Sequence, residues 1–467
     1  KVKRLNDKVL ARLREIAGAD RVLTSDDERC RHSSDATRRS AMPDAVVCPE
    51  DVEQISGVAR LCTEERIPLT PRGAGTGLSG GAVPLKGGVV LSLTGLCRIR
   101  QVVPEDLYAV VEAGTVTEGL QKAVEIPSLF YPPDPASRST CPIGGNVATS
   151  AGGLRSLKYG TTKRYLLGLE VVLPTGEVMK TGATTVKSVA GFDMTRLVCG
   201  SQGTLAIVTA AILRLLPLPE HRVAIVAGFD TLDGAAAACA NVTASGAAPS
   251  MLEIMDSLAV EAVLGNMALA LGHDTPVGVA GTSLVLAETD GFEKVAEGEA
   301  DGIERVFRDA GARFTRRISE PEKSEELWTA RRHTLPALAR LRPVTIVEQV
   351  TVPRSRVVEM VKALGGIAKK QAIEMAIFGH AGDGKLHVAV LAESLAVENS
   401  SRIDAIVSGI RESAVSLGGV LSGEHGIGAE GVGFLRAEMG EAALETAKRL
   451  KAAFDPEGIL NPGKLFV

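Results

Sequence analysis

The chain has 467 residues, with 52 Lys and Arg against 56 Asp and Glu for a net charge of -4, and 45% of it is hydrophobic. That length supports two or three domains with sizeable cores, and the near-balanced charge, with a pI of about 6.1, excludes the basic footprint of a nucleic-acid binder or of a protein held on an anionic membrane surface. No run of 18 uncharged apolar residues occurs, and the seven cysteines are dispersed with no C-x-x-C pair. A soluble chain with reduced thiols, lacking a disulfide framework or iron–sulfur site, is therefore expected.

Residues 1–42 read as a charged amphipathic helix, KVKRLNDKVLARLREI, and a polar stretch, unlike the apolar block of a signal peptide. From Pro43 to about Pro219 short β-branched runs alternate with helical windows, as in AVVCP (45–49), DVEQISGVARLCTEER and IPLTPRG. In this segment PRGAGTGLSGG (71–81) follows a strand-like run, and its glycines let successive N–H groups face one concavity that suits a diphosphate. No Gly-Lys-Ser/Thr follows and no G-x-G-x-x-G opens a long helix, so neither a P-loop nor a Rossmann nicotinamide site is supported. A second cluster, YPPDPASRSTCPIGGNVATSAGG (131–153), adds small and hydroxyl residues behind a stiff approach of Pro132, Pro133 and Pro135. Two such clusters suggest a dinucleotide with its diphosphate on one and its ring near the other.

Between 220 and about 420, strands such as RVAIVAGF (222–229) and GTSLVLAE (281–288) alternate with helices such as 290–311, and a helix over 434–455 precedes the tail EGILNPGKLFV. The segments are thus 1–42, 43–219, 220–420 and 421–467, with no internal repeat or low-complexity linker.

Two of the seven histidines flank a turn in FGHAGDGKLHVAV (378–390) and another lies in SGEHGIG (422–428). The apolar runs around Asp383-Gly384 predict a hairpin with a two-residue loop, pairing Gly382 with Lys385, Ala381 with Leu386 and His380 directly with His387. Directly paired residues hold their Cβ atoms about 4.5–5.5 Å apart, within reach of one cation. Glu424, set among glycines, would complete three protein ligands with open coordination positions, as in a catalytic metal site. Two imidazoles and a carboxylate suit Zn, Mn, Fe or Co.

The ordered motifs PRGAGTGLSGG, PPDPASRSTCPIGGNVATSAGG, KYGTTKRYLLGLEVVLPTGEV (158–178), GSQGTLAIVT (200–209), GHAGDGKLHV, SGEHGIG and LNPGK resemble the FAD-linked D-2-hydroxyacid dehydrogenases of the vanillyl-alcohol oxidase superfamily, over roughly 43–467. The resemblance implies an α+β fold: an FAD-binding domain of two subdomains, an antiparallel-sheet cap domain and a C-terminal helical segment returning to the flavin. By carry-over Arg72, Gly73, Ala74, Gly75, Thr76, Gly77, Ser79 and Gly80 hold the diphosphate. Asp134, Thr140, Gly144, Gly145, Ser150, Gly152 and Gly153 line the rest of the FAD, Ile207 meets the adenine and Asn461 approaches from the tail. Residues 71–81 contain no histidine, so non-covalent FAD is expected.

Oxidising a 2-hydroxy acid needs a base, an electrophile and a carboxylate anchor. The resemblance supplies His425 as base, a divalent cation on His380, His387 and Glu424, and Arg331 of LWTARRHTLPAL as anchor, a guanidinium able to grip a carboxylate bidentately. Lys187 and Asp193 also fall on a family motif near the flavin or substrate. Against the family, Lys385 replaces a common Asn, Gln202 a frequent Glu, Phe192 a frequent Tyr, and Ala389 an Asn of the 2-hydroxyglutarate enzymes; the last favours a small acid. The expectation is D-lactate oxidation, with glycolate or D-2-hydroxyglutarate as alternatives. Electrons would pass to a separate acceptor: an electron-transferring flavoprotein, iron–sulfur subunit, cytochrome or quinone. The expected location is cytoplasmic, peripheral to the membrane where that acceptor is bound to it. Rival expectations are an alkyl-glycerone-phosphate-synthase-like FAD transferase and a non-catalytic flavoprotein subunit.

Overall fold

The computed structural model describes residues 5–37, 39–271, 279, 281–394, 397–429 and 431–465. The chain forms two compact units, one of residues 1–152, 161–218 and 424–467, the other of 153–160 and 219–423.

In the first unit, strands Ala45–Val47, Val89–Ser92 and Leu69–Arg72 run parallel, with Val22–Leu23 antiparallel at the edge. Parallel strands need a crossover, and Val52–Glu65 supplies it. Asp51 caps this helix by accepting the Gln54 amide at 2.8 Å, and Ile55, Val58, Ala59 and Cys62 face the sheet beside Leu13 of the N-terminal helix. The tail joins the same sheet, since Leu69 donates to Ile459 and Asn461 donates to Leu69. The unit's other main sheet is five-stranded and antiparallel, in the order Ile99–Val103, Tyr108–Glu112, Ile207–Arg214, Leu166–Val172, Val178–Gly182. The single helix expected over 434–455 is two, Val432–Met439 and Glu441–Phe454. Gly440, with φ of 77°, separates them; a left-handed glycine ends a helix whatever the apolar spacing on either side.

The second unit is built on a seven-stranded antiparallel sheet, ordered Phe314–Ile318, His221–Phe229, Ser283–Gly291, Met251–Met255, Glu374–His380, Lys385–Ala392, Val344–Thr351. Each face has its own core. Ile377, Leu386, Val388 and Val390 pack on one side with Val357, Met360 and Leu364 of one helix. Ala376, Phe378, Ala389 and Leu391 pack on the other with Leu327, Trp328 and Ala330 of the helix Pro321–Arg332. The alternation along the hairpin follows the two-residue period of a pleated strand.

Among the described residues no helix is long and apolar enough to cross a membrane.

Gly384 closes the hairpin at φ 80°, and an added Cβ would collide with the Val352 carbonyl oxygen. Gly365, inside the helix Val357–Gln371, has open space instead. Gly384→Ala should therefore lose about 1–3 kcal/mol or more, whereas Gly365→Ala should gain about 0.5–1 kcal/mol. Thermal midpoints moving in opposite directions would show this; equal midpoints would contradict it.

Candidate functional site

In the first unit the strand Leu69–Arg72 leads straight into the first glycine loop. Arg72 is buried, donates to the Ala82 carbonyl at 3.3 Å, and has its pKa lowered by burial against the opposing pull of Asp35. Gly73 can be nothing larger, because a Cβ would stand 2.6 Å from Pro142 Cγ, so the first loop lies against the start of the helix Ile143–Thr149 in the second cluster. The carbonyls of Gly77, Ser79 and Gly80 accept from Ala36, Ala429 and Val83, and that of Gly81 from Asn461 Nδ2 at 2.9 Å. Meanwhile no amide from Gly73 to Gly81 donates to a backbone carbonyl among the described residues. Carbonyls drawn outward and amides left for another acceptor make a cradle fitted to a diphosphate.

Other carried-over cofactor residues gather in this unit. Asp134 is 1% exposed, with Arg138 Nε 3.7 Å away. Ser150 takes a left-handed conformation with Oγ 3.1 Å from Thr161 Oγ1, and Ile207 is buried where its strand begins. Asn461 also donates to the Gln202 carbonyl at 2.7 Å, tying the tail to both the first loop and GSQGT. Thr140 is exposed, its hydroxyl donating to Ser137, and Gly153 falls in the segment that folds with the second unit. Asp193 caps a short helix by accepting the Arg196 amide at 2.9 Å, while Lys187 lies in an exposed stretch with Val186, Val189 and Phe192.

From Glu424 on, the SGEHGIG motif belongs to the first unit and is seated there by close backbone contacts. Ala429 donates to the Ser79 carbonyl, and Gly428 donates to Gln202 Oε1 at 2.7 Å. A Cβ on Gly426 would strike the Gln202 amide and one on Gly428 the Ser79 carbonyl. Gln202, noticed in the sequence only for replacing Glu, is thus a support of the loop bearing His425. His425 Nε2 lies 3.9 Å from Glu424 Oε2.

The histidine hairpin differs from its expected register. Ala381–Asp383 form a 3-10 turn before Gly384, so His380 pairs with Lys385 and Phe378 with His387. The turn is longer than Asp-Gly alone implies because Ala381 and Gly382 leave the ladder to pack inward, Gly382 against Leu157 and Leu252. The slip from His387 to Lys385 as partner of His380 is two residues, and an even slip leaves every side chain on its face. His380 and His387 are therefore diagonal neighbours, their ring centroids 5.6 Å apart at 77°. Phe378 stacks on His387 at 5.2 Å.

Glu424 follows directly from residues paired to the neighbouring strand: Thr351 and Val420 exchange backbone hydrogen bonds of 3.0 and 2.8 Å, and Gly423 is pressed against the Thr351 side chain. Within the second unit His380 and His387 bring two imidazoles together on one sheet face, a pair suited to a divalent cation, and Glu424 is the carboxylate that comes next in the chain after Gly423.

A group invisible in the sequence reading sits behind the histidines. Glu253, the one acid in the strand MLEIM, is fully buried; Oε1 lies 2.6 Å from His380 Nδ1, and Oε2 accepts from the Arg331 guanidinium at 2.6 Å. Burial pushes its pKa up, but His380 and Arg331 outweigh this and hold it below the usual carboxylate range. Arg331 packs over the Phe378 ring at 5.0 Å, and its Nε is buried without a hydrogen-bond partner among the described residues. Lys385, across from His380, is pushed down to about 7 by burial, partly opposed by Glu253. Gln349, paired with His387, has a buried Oε1 with no partner among the described residues. The available signals were an acid in an apolar strand for Glu253 and a polar residue in a β-branched one for Gln349.

Two family models match the chain. Residues 43–182 match the family described as FAD binding domain, and residues 218–465 that described as FAD linked oxidases, C-terminal domain. The chain is 39% identical to the glycolate oxidase subunit GlcD of Bacillus subtilis, over 98% of this chain and 96% of that one. It is 32% identical to a D-lactate dehydrogenase of Anaerostipes hadrus, over 99% and 98%. A solved alkyldihydroxyacetonephosphate synthase superposes with a TM-score of 0.77 at 18% identity, covering 99% of this chain and 85% of that one, a likeness of fold alone. The chain belongs to the FAD-linked oxidases, as an FAD-dependent oxidoreductase.

Proposed function

We propose that the chain oxidises a small D-2-hydroxy acid, D-lactate foremost, to the 2-oxo acid and passes the electrons to a separate acceptor. The observation that carries this is the pair of imidazoles of His380 and His387, ring centroids 5.6 Å apart, on a sheet face that also holds the buried Arg331. A bound divalent cation would polarise the substrate hydroxyl, and bound FAD would accept the hydride.

The chain's own residues would do the rest. His380, His387 and Glu424 would hold the cation; the loop Arg72 to Gly80, with Asp134, Ser150 and Ile207, would hold FAD. Arg331 keeps a buried Nε–H without a partner among the described residues, a donor suited to the substrate carboxylate. His425 would take the hydroxyl proton, its loop steadied by Gln202. Ala389 is buried and flanked across the ladder by Ala376 and Val347. That apolar row offers no partner to a second substrate carboxylate, which favours lactate- or glycolate-sized acids over 2-hydroxyglutarate. Glycolate is the second reading, favoured by the name of the 39% identical relative. The paired histidines argue against a transferase performing no net oxidation, and against a subunit with no chemistry of its own.

Anaerobic mixing of the metal-replete protein with D-lactate, L-lactate and glycolate is expected to bleach the oxidised-flavin absorbance, fastest with D-lactate. Preference for glycolate would select the second reading, and no bleaching with any of the three would sink both.

His425→Ala should retain FAD and metal while flavin reduction falls by about 100-fold or more, the usual worth of a positioned base. His380→Ala, or chelation of the wild type, should remove metal as well as activity. Metal analysis beside single-turnover flavin reduction checks both, and a full-rate His425→Ala enzyme would remove that residue from its role.

A further inference from the structure

Two imidazoles can share a cation only if each presents the correct nitrogen. A neutral ring has one protonated and one bare nitrogen, and the hydrogen bond made by the first decides which one is bare. His380 has that bond, because its Nδ1 lies 2.6 Å from Glu253 Oε1. Nδ1 so engaged assigns Nε2 as the nitrogen that would serve as the ligand.

We infer that Glu253 is a positioning residue of the site, one carboxylate that sets the tautomer and orientation of His380 toward the cation while its second oxygen holds Arg331. This rests on the metal reading given above. The placement is rigid for physical reasons. Glu253 comes from the strand adjoining the one that bears His380, one residue along the register from the pair Ile254 and Gly379. It is 0% exposed, and its neighbours on the strand are packed in the two cores. A buried carboxylate needs a compensating charge, and Arg331 supplies it at 2.6 Å. That guanidinium is pinned in turn over Phe378, which stacks on His387. Both histidines are thus supported by one connected set of side chains.

The carboxylate presents one acceptor oxygen to each of its two partners, whereas an amide in its place presents one oxygen and one NH2 donor. In Glu253→Gln the amide nitrogen must face either the Arg331 guanidinium, a donor against a donor, or His380 Nδ1, which then has to be bare. The variant is nearly isosteric, so it separates the loss of acceptor geometry from a loss of volume.

The test uses FAD-loaded, metal-stripped protein titrated with Co(II), whose visible bands report its ligands. Glu253→Gln, shown to be folded by circular dichroism and flavin absorbance, is expected to bind Co(II) about 10–100-fold more weakly than wild type. Equal affinity in the folded variant overturns the assignment, including when its thermal midpoint drops, since that outcome marks a structural role alone. Wild type that takes up no Co(II) overturns the metal reading and this inference with it, a failure seen in a different sample. If the variant does not fold, long-range proton–nitrogen correlation of the histidine rings in the wild type decides the matter. His380, assigned by its loss in His380→Gln, must carry its proton on Nδ1; a proton on Nε2 overturns the proposal.

Discussion

A pleated strand sends alternate side chains to opposite faces, and that constraint organises the whole second unit. Ile377, Leu386, Val388 and Val390 go to one core, which leaves Phe378, His380 and His387 on the other face. The neighbouring strands obey the same alternation, so Glu253 on one side and Gln349 on the other arrive on the histidine face. No loop has to search for this arrangement. The polar groups are held by backbone ladders and by the packing of their apolar neighbours, the kind of support a site needs if its geometry is to be set before a ligand arrives.

The first unit solves a different problem with different means. A diphosphate asks for many amide donors in a small volume, which side chains would block. Close packing of Gly73 on Pro142, and of Gly426 and Gly428 on Gln202 and Ser79, brings separate stretches of chain together at backbone distance. The tail adds to this by pairing with Leu69 and sending Asn461 to the carbonyls of Gly81 and Gln202. Residues far apart in the chain therefore meet in one cradle.

These two modes differ in how readable they are from sequence. Glycine-dense loops and a repeated His across a short turn are local signals, so the cradle and the histidine pair could be named in advance. The hairpin register differs by two residues from the one a two-residue Asp-Gly loop implies, yet parity keeps every side chain on its expected face. Parity could not have spared an odd slip. Gly440 broke the last helix for a reason apolar spacing does not carry, the sign of one φ angle. Glu253 stands out only as an acid in the apolar strand MLEIM; its partner is not legible, because it is 127 residues from His380 and no local pattern marks the pairing. Arg331 was placed at the site, but its bond to that acid was not foreseeable for the same reason.

Glu253, Arg331 and His380 lie among Trp328, Phe378 and Met255, a neighbourhood where apolar replacements would pack without any desolvation cost. Burying a charge pair there is neutral at best for stability and often unfavourable, since the attraction between the ions seldom exceeds what both lose on leaving water. Lys385 adds to the burden, and its pKa of about 7 records how strongly burial acts on a charge at this place. Folding alone gives no reason to collect a carboxylate, a guanidinium, an ammonium and two imidazoles on one sheet face. Their joint presence is what the proposed substrate, a 2-hydroxy carboxylate with an anionic end and metal-binding oxygens nearby, would call for. The apolar surroundings would strengthen every such contact, because the low effective dielectric that makes an unpaired buried charge costly also magnifies its attraction for an anion.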